Sequence, residues 1–81
     1  MKYKSSTEAI LALMQDAQQF KRDYEWRKPA VEFYSDYIDV EYRETATIRA
    51  IPENHADEWR IFASGDEIVI VFTYYYEDEA L

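Results

Sequence analysis

The chain has no cysteine, one glycine, two prolines and one histidine in 81 residues. Without cysteine there is no disulfide framework, no thiolate metal site and no Cys–His nucleophile. Small secreted domains are usually stapled by disulfides, so the absence points to a reducing compartment, the cytoplasm. A single glycine cannot build a phosphate-cradling loop, and no Gly-x-Ser-x-Gly elbow is present. With one histidine, any Ser–His–Asp triad would depend on His55. No run of aliphatic or aromatic residues, Ile68 to Phe72 included, is long enough to cross a bilayer. No apolar leader segment follows Met1, Lys2, Tyr3 and Lys4. No membrane partner is therefore expected. So few glycines and prolines leave no long flexible linker, so residues 1–81 read as a single domain and, starting from Met, as a complete small gene product.

Large side chains and acid are plentiful instead. The chain carries eight Tyr, four Phe and two Trp, and 48% of it is hydrophobic, which excludes a disordered chain. The formal net charge is −8. Residues 1–28 hold six bases (Lys2, Lys4, Lys21, Arg22, Arg27, Lys28) and four acids (Glu8, Asp16, Asp23, Glu25). Residues 29–81 hold three bases (Arg43, Arg49, Arg60) and thirteen acids. Nucleic-acid binding needs phosphate neutralisation, so direct contact with nucleic acid is disfavoured. An acidic field steers a basic protein partner. The plainer reading is that acid keeps a small protein soluble.

Hydrophobic periodicity sets an α+β fold, one N-terminal helix packed on a four-stranded antiparallel meander sheet. Ser5-Ser6-Thr7-Glu8 fits a capping box. Apolar residues then recur at Ile10, Leu13, Met14, Ala17, Phe20 and Tyr24, which is one helical stripe. Pro29 ends the element, giving a helix over about residues 6 to 25. Residues 29–36 could open a strand or form a short helical turn. From Tyr37 to Arg43 the period becomes two, with Ile38, Val40 and Tyr42 on one side. Thr45 to Ile51 reads as a second, β-branched strand, and Pro52 to Asp57 as a loop. Glu58 to Ser64 and Glu67 to Tyr76 form a hairpin around Gly65-Asp66. A two-residue loop pairs Ala63 with Ile68, Ile61 with Ile70 and Trp59 with Phe72. On that register the helix covers Ile38, Val40, Tyr42, Ile48, Trp59, Ile61, Ile70, Phe72 and Tyr74.

One helix covers one side of such a sheet. The other side would carry Tyr37, Asp39, Glu41, Thr47, Arg49, Arg60, Phe62, Val69, Val71, Thr73 and Tyr75. The last strand is apolar on both faces, unlike an ordinary solvent-facing strand. Two readings are open. Residues 29–36 could fold over its back, or Tyr37, Asp39, Glu41, Phe62, Val69, Val71 and Tyr75 could form a partner-binding surface, apolar anchors ringed by charge. Tyrosine suits the second reading because it buries much area with few rotors.

No chemistry-bearing constellation emerges, so no catalytic residue, metal ligand or cofactor is expected, and the chain does not read as an enzyme. Glu53, His55 and Asp57 alternate in a loop but lack a fourth ligand and supporting groups. They read as an acidic surface loop with an incidental histidine. Asp39 and Glu41 would lie about 7 Å apart on one side of a strand. That is near the spacing of successive DNA phosphates and would suit a nucleic-acid mimic. In size and charge alone the chain resembles immunity proteins of bacterial toxins and small phage-encoded inhibitors that occupy nucleic-acid sites on basic enzymes. The expectation is a small acidic inhibitor or neutraliser of a basic protein partner, such as a nucleic-acid-binding enzyme. The alternative is a homo-oligomeric structural or adaptor domain, a homodimer through the open sheet face. The two differ in where the acids go, since like charges repel across a self-interface.

Overall fold

A computed structural model of the chain describes residues 2–45 and 50–77. It contains helix α1 (Ser6–Tyr24) and strands β1 (Ala30–Phe33), β2 (Tyr37–Glu44), β3 (Glu58–Ser64) and β4 (Glu67–Tyr75). The strands form one antiparallel sheet in the order β1-β2-β4-β3. Among the described residues no helix is long and apolar enough to cross a membrane.

Local sequence explains both ends of α1. The Ser5 hydroxyl accepts the Glu8 N–H at 3.3 Å, satisfying one of the free amides of the first turn. Lys21 and Arg22 lie in the last turn, where cations complement the helix dipole. Glu25 then takes a left-handed φ of 57°. That reversal brings the Trp26 N–H to the Phe20 carbonyl at 3.3 Å and the two rings to 4.9 Å between centroids. The α1 stripe is turned from the expected one. Ala9, Ala12, Leu13, Asp16 and Phe20 are buried, while Met14 is exposed. Two alanines let the helix lie close to the sheet, and the buried face includes a carboxylate that a purely apolar stripe would leave out.

The β3–β4 hairpin has the expected register, with Trp59 opposite Phe72, Ile61 opposite Ile70 and Ala63 opposite Ile68. Gly65 supplies the positive φ of the turn, at 61°. The strand order departs from the expected meander. Residues 30–33 form the edge strand β1 against β2, and β2 pairs directly with β4. Thr45, Ala50 and Ile51 belong to no strand, and the rest of the strand expected over Thr45 to Ile51, with Thr47, Ile48 and Arg49, lies outside the described residues. Because β2 and β3 are both antiparallel to β4, they run parallel to each other, and the segment between them must cross over β4. Its described part, residues 50–57, lies on the helix side: Ile51 and Ala56 pack against the core and Pro52 is buried.

This order decides what the core contains. Helix α1 contacts β2 and β4, and the buried cluster joins Phe20 and Trp26 to Ile38, Val40, Tyr42, Ile70, Phe72 and Tyr74. Phe20 sits 5.4 Å from Phe72 and 5.5 Å from Tyr42, ring centre to ring centre. Trp59 and Ile61 share this face but not its cover. They lie on the outer strand β3, beyond the helix, 49% and 43% exposed, so the expectation that they face the helix stripe fails at the sheet edge.

Candidate functional site

The helix-free face has β4 as its central row. Val69 lies between Arg43 and Phe62, Val71 between Glu41 and Arg60, Thr73 between Asp39 and Glu58, and Tyr75 beside Tyr37. Two of the expected contact residues are corrected here. Val69 and Val71 are 0% and 5% exposed and offer a partner almost no surface. Residues 29–36 are not what closes this face, since 30–33 pair at the sheet edge. The two valines occupy a central strand flanked on both sides by longer side chains. Phe62 remains exposed at 47%, and Tyr37, Asp39, Glu41 and Tyr75 are half-buried.

The carboxylates of this face are held by the protein's own groups. Thr73 Oγ1 donates to Asp39 at 2.6 Å, and Arg60 lies 3.8 Å from the same carboxylate. Arg43 Nε bonds Glu41 at 2.9 Å. Each anion therefore already has a donor, unlike the free row of charges that phosphate mimicry would present.

The end of the sheet where β1, β2 and β4 meet is different. The Tyr34 and Tyr37 rings stack 4.5 Å apart at 14°, and Tyr37 lies 5.9 Å from Tyr75. The Tyr34 hydroxyl donates to Glu32 at 2.7 Å and the Tyr75 hydroxyl to Glu58 at 2.8 Å. Each bond, reinforced by the nearby negative charge, raises its phenol above the ordinary tyrosine pKa, so both hydroxyls stay protonated and hold the acids in place. The hairpin turn between β1 and β2 brings Tyr34 onto Tyr37, through the Tyr34 N–H to the Tyr37 carbonyl at 2.9 Å. The result is three aromatic rings beside Glu32, Asp39 and Glu58, with Arg60 as the cation nearest Asp39. Sequence reasoning found Tyr37, Asp39 and Tyr75. It did not name Tyr34 and Glu32, because strand β1 had no clear period, nor Glu58, whose approach to Tyr75 depends on the pairing of β3 with β4.

A second polar cluster lies inside the fold. Asp16 is fully buried on α1. It accepts the His55 N–H at 2.9 Å, the Tyr74 hydroxyl at 2.6 Å, and lies 2.6 Å from His55 Nδ1. Tyr3 donates its hydroxyl to the His55 carbonyl. Burial and the Asp16 bond push the Tyr74 phenol well above its ordinary pKa. The histidine expected to be incidental is thus a strut that ties the crossover segment to the helix. A carboxylate orienting an imidazole is also the supporting half of a nucleophile-activating array. Among the described residues the ring is bonded to Asp16 and to no serine, threonine or lysine. Glu53, His55 and Asp57 are not brought together: His55 turns to Asp16 and Asp57 accepts the Tyr75 N–H at 2.9 Å. Among the described residues no group of three or more His, Asp or Glu is placed to hold a metal. The sequence signal that was available is Asp16 itself, an acid lying in line with Ala9, Ala12, Leu13 and Phe20.

No family model matches the chain, and it matches no curated protein and no solved structure. The functional reading therefore rests on geometry and charge.

Proposed function

We propose that this protein acts in the cytoplasm as a small acidic inhibitor or neutraliser that binds a basic protein partner, without a catalytic step or a cofactor. The observation that carries the reading is the cluster of Tyr34, Tyr37 and Tyr75 beside Glu32, Asp39 and Glu58. Aromatic faces next to carboxylates complement arginine, whose guanidinium stacks on a ring while its N–H groups bond a carboxylate. Phe62, exposed farther along the same face, supplies an apolar contact, and the net charge of −8 steers a cationic partner. The interface is revised from the sequence-based one: Tyr34, Glu32 and Glu58 join Tyr37, Asp39, Phe62 and Tyr75. Val69 and Val71 support the face from within, and Glu41 serves as the partner of Arg43. A nucleic-acid site on a basic enzyme suits such a surface through its arginines, whereas a regular row of unpaired acids is lacking on β2.

A second reading has its own observation. Strand β3 is an outer strand exposing Trp59 and Ile61 on one face and Phe62 on the other. Outer strands with apolar side chains are templates for pairing, and two copies could join edge to edge as a homodimer.

Affinity capture from the source cell with the immobilised protein, eluted in rising salt, separates the two. The first reading expects a basic protein released by moderate salt and no longer retained by Tyr37→Ala or Glu58→Lys. Retention unaffected by either substitution overturns it. A dimer in sedimentation equilibrium that dissociates on Trp59→Ser, with no protein captured, establishes the second.

A further inference from the structure

Five of the nine Lys and Arg residues gather where α1 ends and the chain turns toward β1: Lys21, Arg22, Arg27, Lys28 and Arg43. A groove of about 470 Å³ opens there, lined by Ala17, Trp26 and Pro29 together with Lys21, Arg22 and Arg27–Lys28. Its size falls within the range of small-ligand pockets. Lysine and arginine stems can line an apolar wall while their charged heads stay in water, so this is an apolar trough with a cationic rim. A smaller cavity of about 240 Å³ adjoins it, sharing Arg27 and Lys28 and reaching Arg43 and Glu41.

The charges at the rim differ in availability. Arg22 is paired with Asp23 at 2.9 Å, Arg27 with Glu67 at 2.8 Å, and Arg43 with Glu41 at 2.9 Å. Among the described residues, Lys21 and Lys28 have no carboxylate within ion-pair distance. The same pairings occupy the carboxylates of Asp23, Glu67 and Glu41. The carbonyl end of α1 also disfavours an anion, but its last groups are taken: the Lys21 carbonyl accepts the Glu25 N–H and the Phe20 carbonyl the Trp26 N–H.

We infer that this groove binds a small amphipathic anion, a flat aromatic or short acyl body carrying one acidic head. The body lies along Ala17, Trp26 and Pro29, and the head sits between the ammonium groups of Lys21 and Lys28. This site is separate from the tyrosine cluster and stands or falls without it. Charge complementarity selects the occupant: an apolar trough alone would take any greasy molecule, whereas Lys21 and Lys28 at its rim, without a carboxylate partner among the described residues, favour one with a negative end.

The probe is 8-anilinonaphthalene-1-sulfonate, compared with N-phenyl-1-naphthylamine, which has the same rings and no sulfonate. Fluorescence titration is expected to show one saturable site for the sulfonate, with amide shifts in NMR confined to the residues about the groove. The Lys21→Gln/Lys28→Gln double variant should weaken the sulfonate about fivefold, the scale of two exposed ion pairs. It should leave the neutral analogue unchanged. Gln18→Trp, an exposed lining position, should block both probes by filling the trough while the circular dichroism melt is preserved. The inference is overturned by failure of the sulfonate to saturate, by equal loss of both probes in the lysine variant, or by binding that survives Gln18→Trp and is lost on Trp59→Ser. That last pattern would place the probe on the apolar edge of β3.

Discussion

Replacing Asp16 tests whether the crossover segment is pinned through one buried carboxylate. The side chain is 0% exposed and receives the His55 N–H, the His55 ring and the Tyr74 hydroxyl. Asp16→Ala removes the acceptor for all three. The Tyr74 hydroxyl is then left buried without a partner, which alone costs about 1 to 3 kcal/mol. With the ring and backbone donors of His55 also released, the total should reach about 3 to 5 kcal/mol, since a hydrogen bond to a charged acceptor contributes about 1.5 to 3 kcal/mol and the half-exposed His55 regains water in part. A chain of this length has roughly 4 to 12 kcal/mol in all, so the variant should be severely weakened. Asp16→Asn discriminates acceptor from charge. Its carbonyl can take the Tyr74 hydroxyl and the His55 N–H, while its amide donates to His55 Nδ1 in the other tautomer. That variant should lose only about 1 kcal/mol. Urea unfolding followed by tryptophan fluorescence gives both values from the shift in midpoint at constant slope. A loss under 1 kcal/mol for Asp16→Ala would refute the strut. Equal, large losses for both variants would show that the negative charge matters rather than the hydrogen-bond acceptor.

Further predictions concern the same core and face. Phe72→Ala empties the space against Phe20 and Tyr42 and should cost about 3 to 5 kcal/mol in the same assay. Val71→Asp buries an unpaired carboxylate on the central strand and should destabilise by about 2 kcal/mol or more; a stable variant that merely fails to bind would restore Val71 to the interface. Burial raises the pKa of Tyr42 and Tyr74 above the unfolded value of 10.0. Their contribution is therefore complete below about pH 10 and is lost as pH rises beyond it, at about 2.7 kcal/mol per pH unit for the pair. Absorbance at 295 nm should show these two phenols ionising only as the protein unfolds. Tyr42→Phe should halve that slope, and it should leave neutral-pH stability unchanged or higher, because the Tyr42 hydroxyl is buried without a hydrogen-bond partner among the described residues.

The sequence by itself determined what is local. Ser5 and Glu8 marked the start of α1, Pro29 bounded its end, and Gly65-Asp66 set the register of β3 on β4, because caps and tight turns are decided by neighbours within a few residues. Period-two alternation placed Ile38, Val40 and Tyr42 on the buried side. Tertiary structure decided the rest. The four-residue strand β1 is too short to show a period, and it exists through pairing with β2. The insertion of β4 between β2 and β3 is a choice among long-range pairings that side-chain alternation does not distinguish. That choice exposes Trp59 and Ile61 at an edge and buries Val69 and Val71 at the centre. Asp16 and His55 meet across 39 positions of chain. An acid on a helix and a histidine in a loop carry no mark of each other until the crossover packs against the sheet. The tyrosine cluster has the same origin: Tyr34, Tyr37 and Tyr75 come together only when the β1–β2 turn and the end of β4 share one end of the sheet.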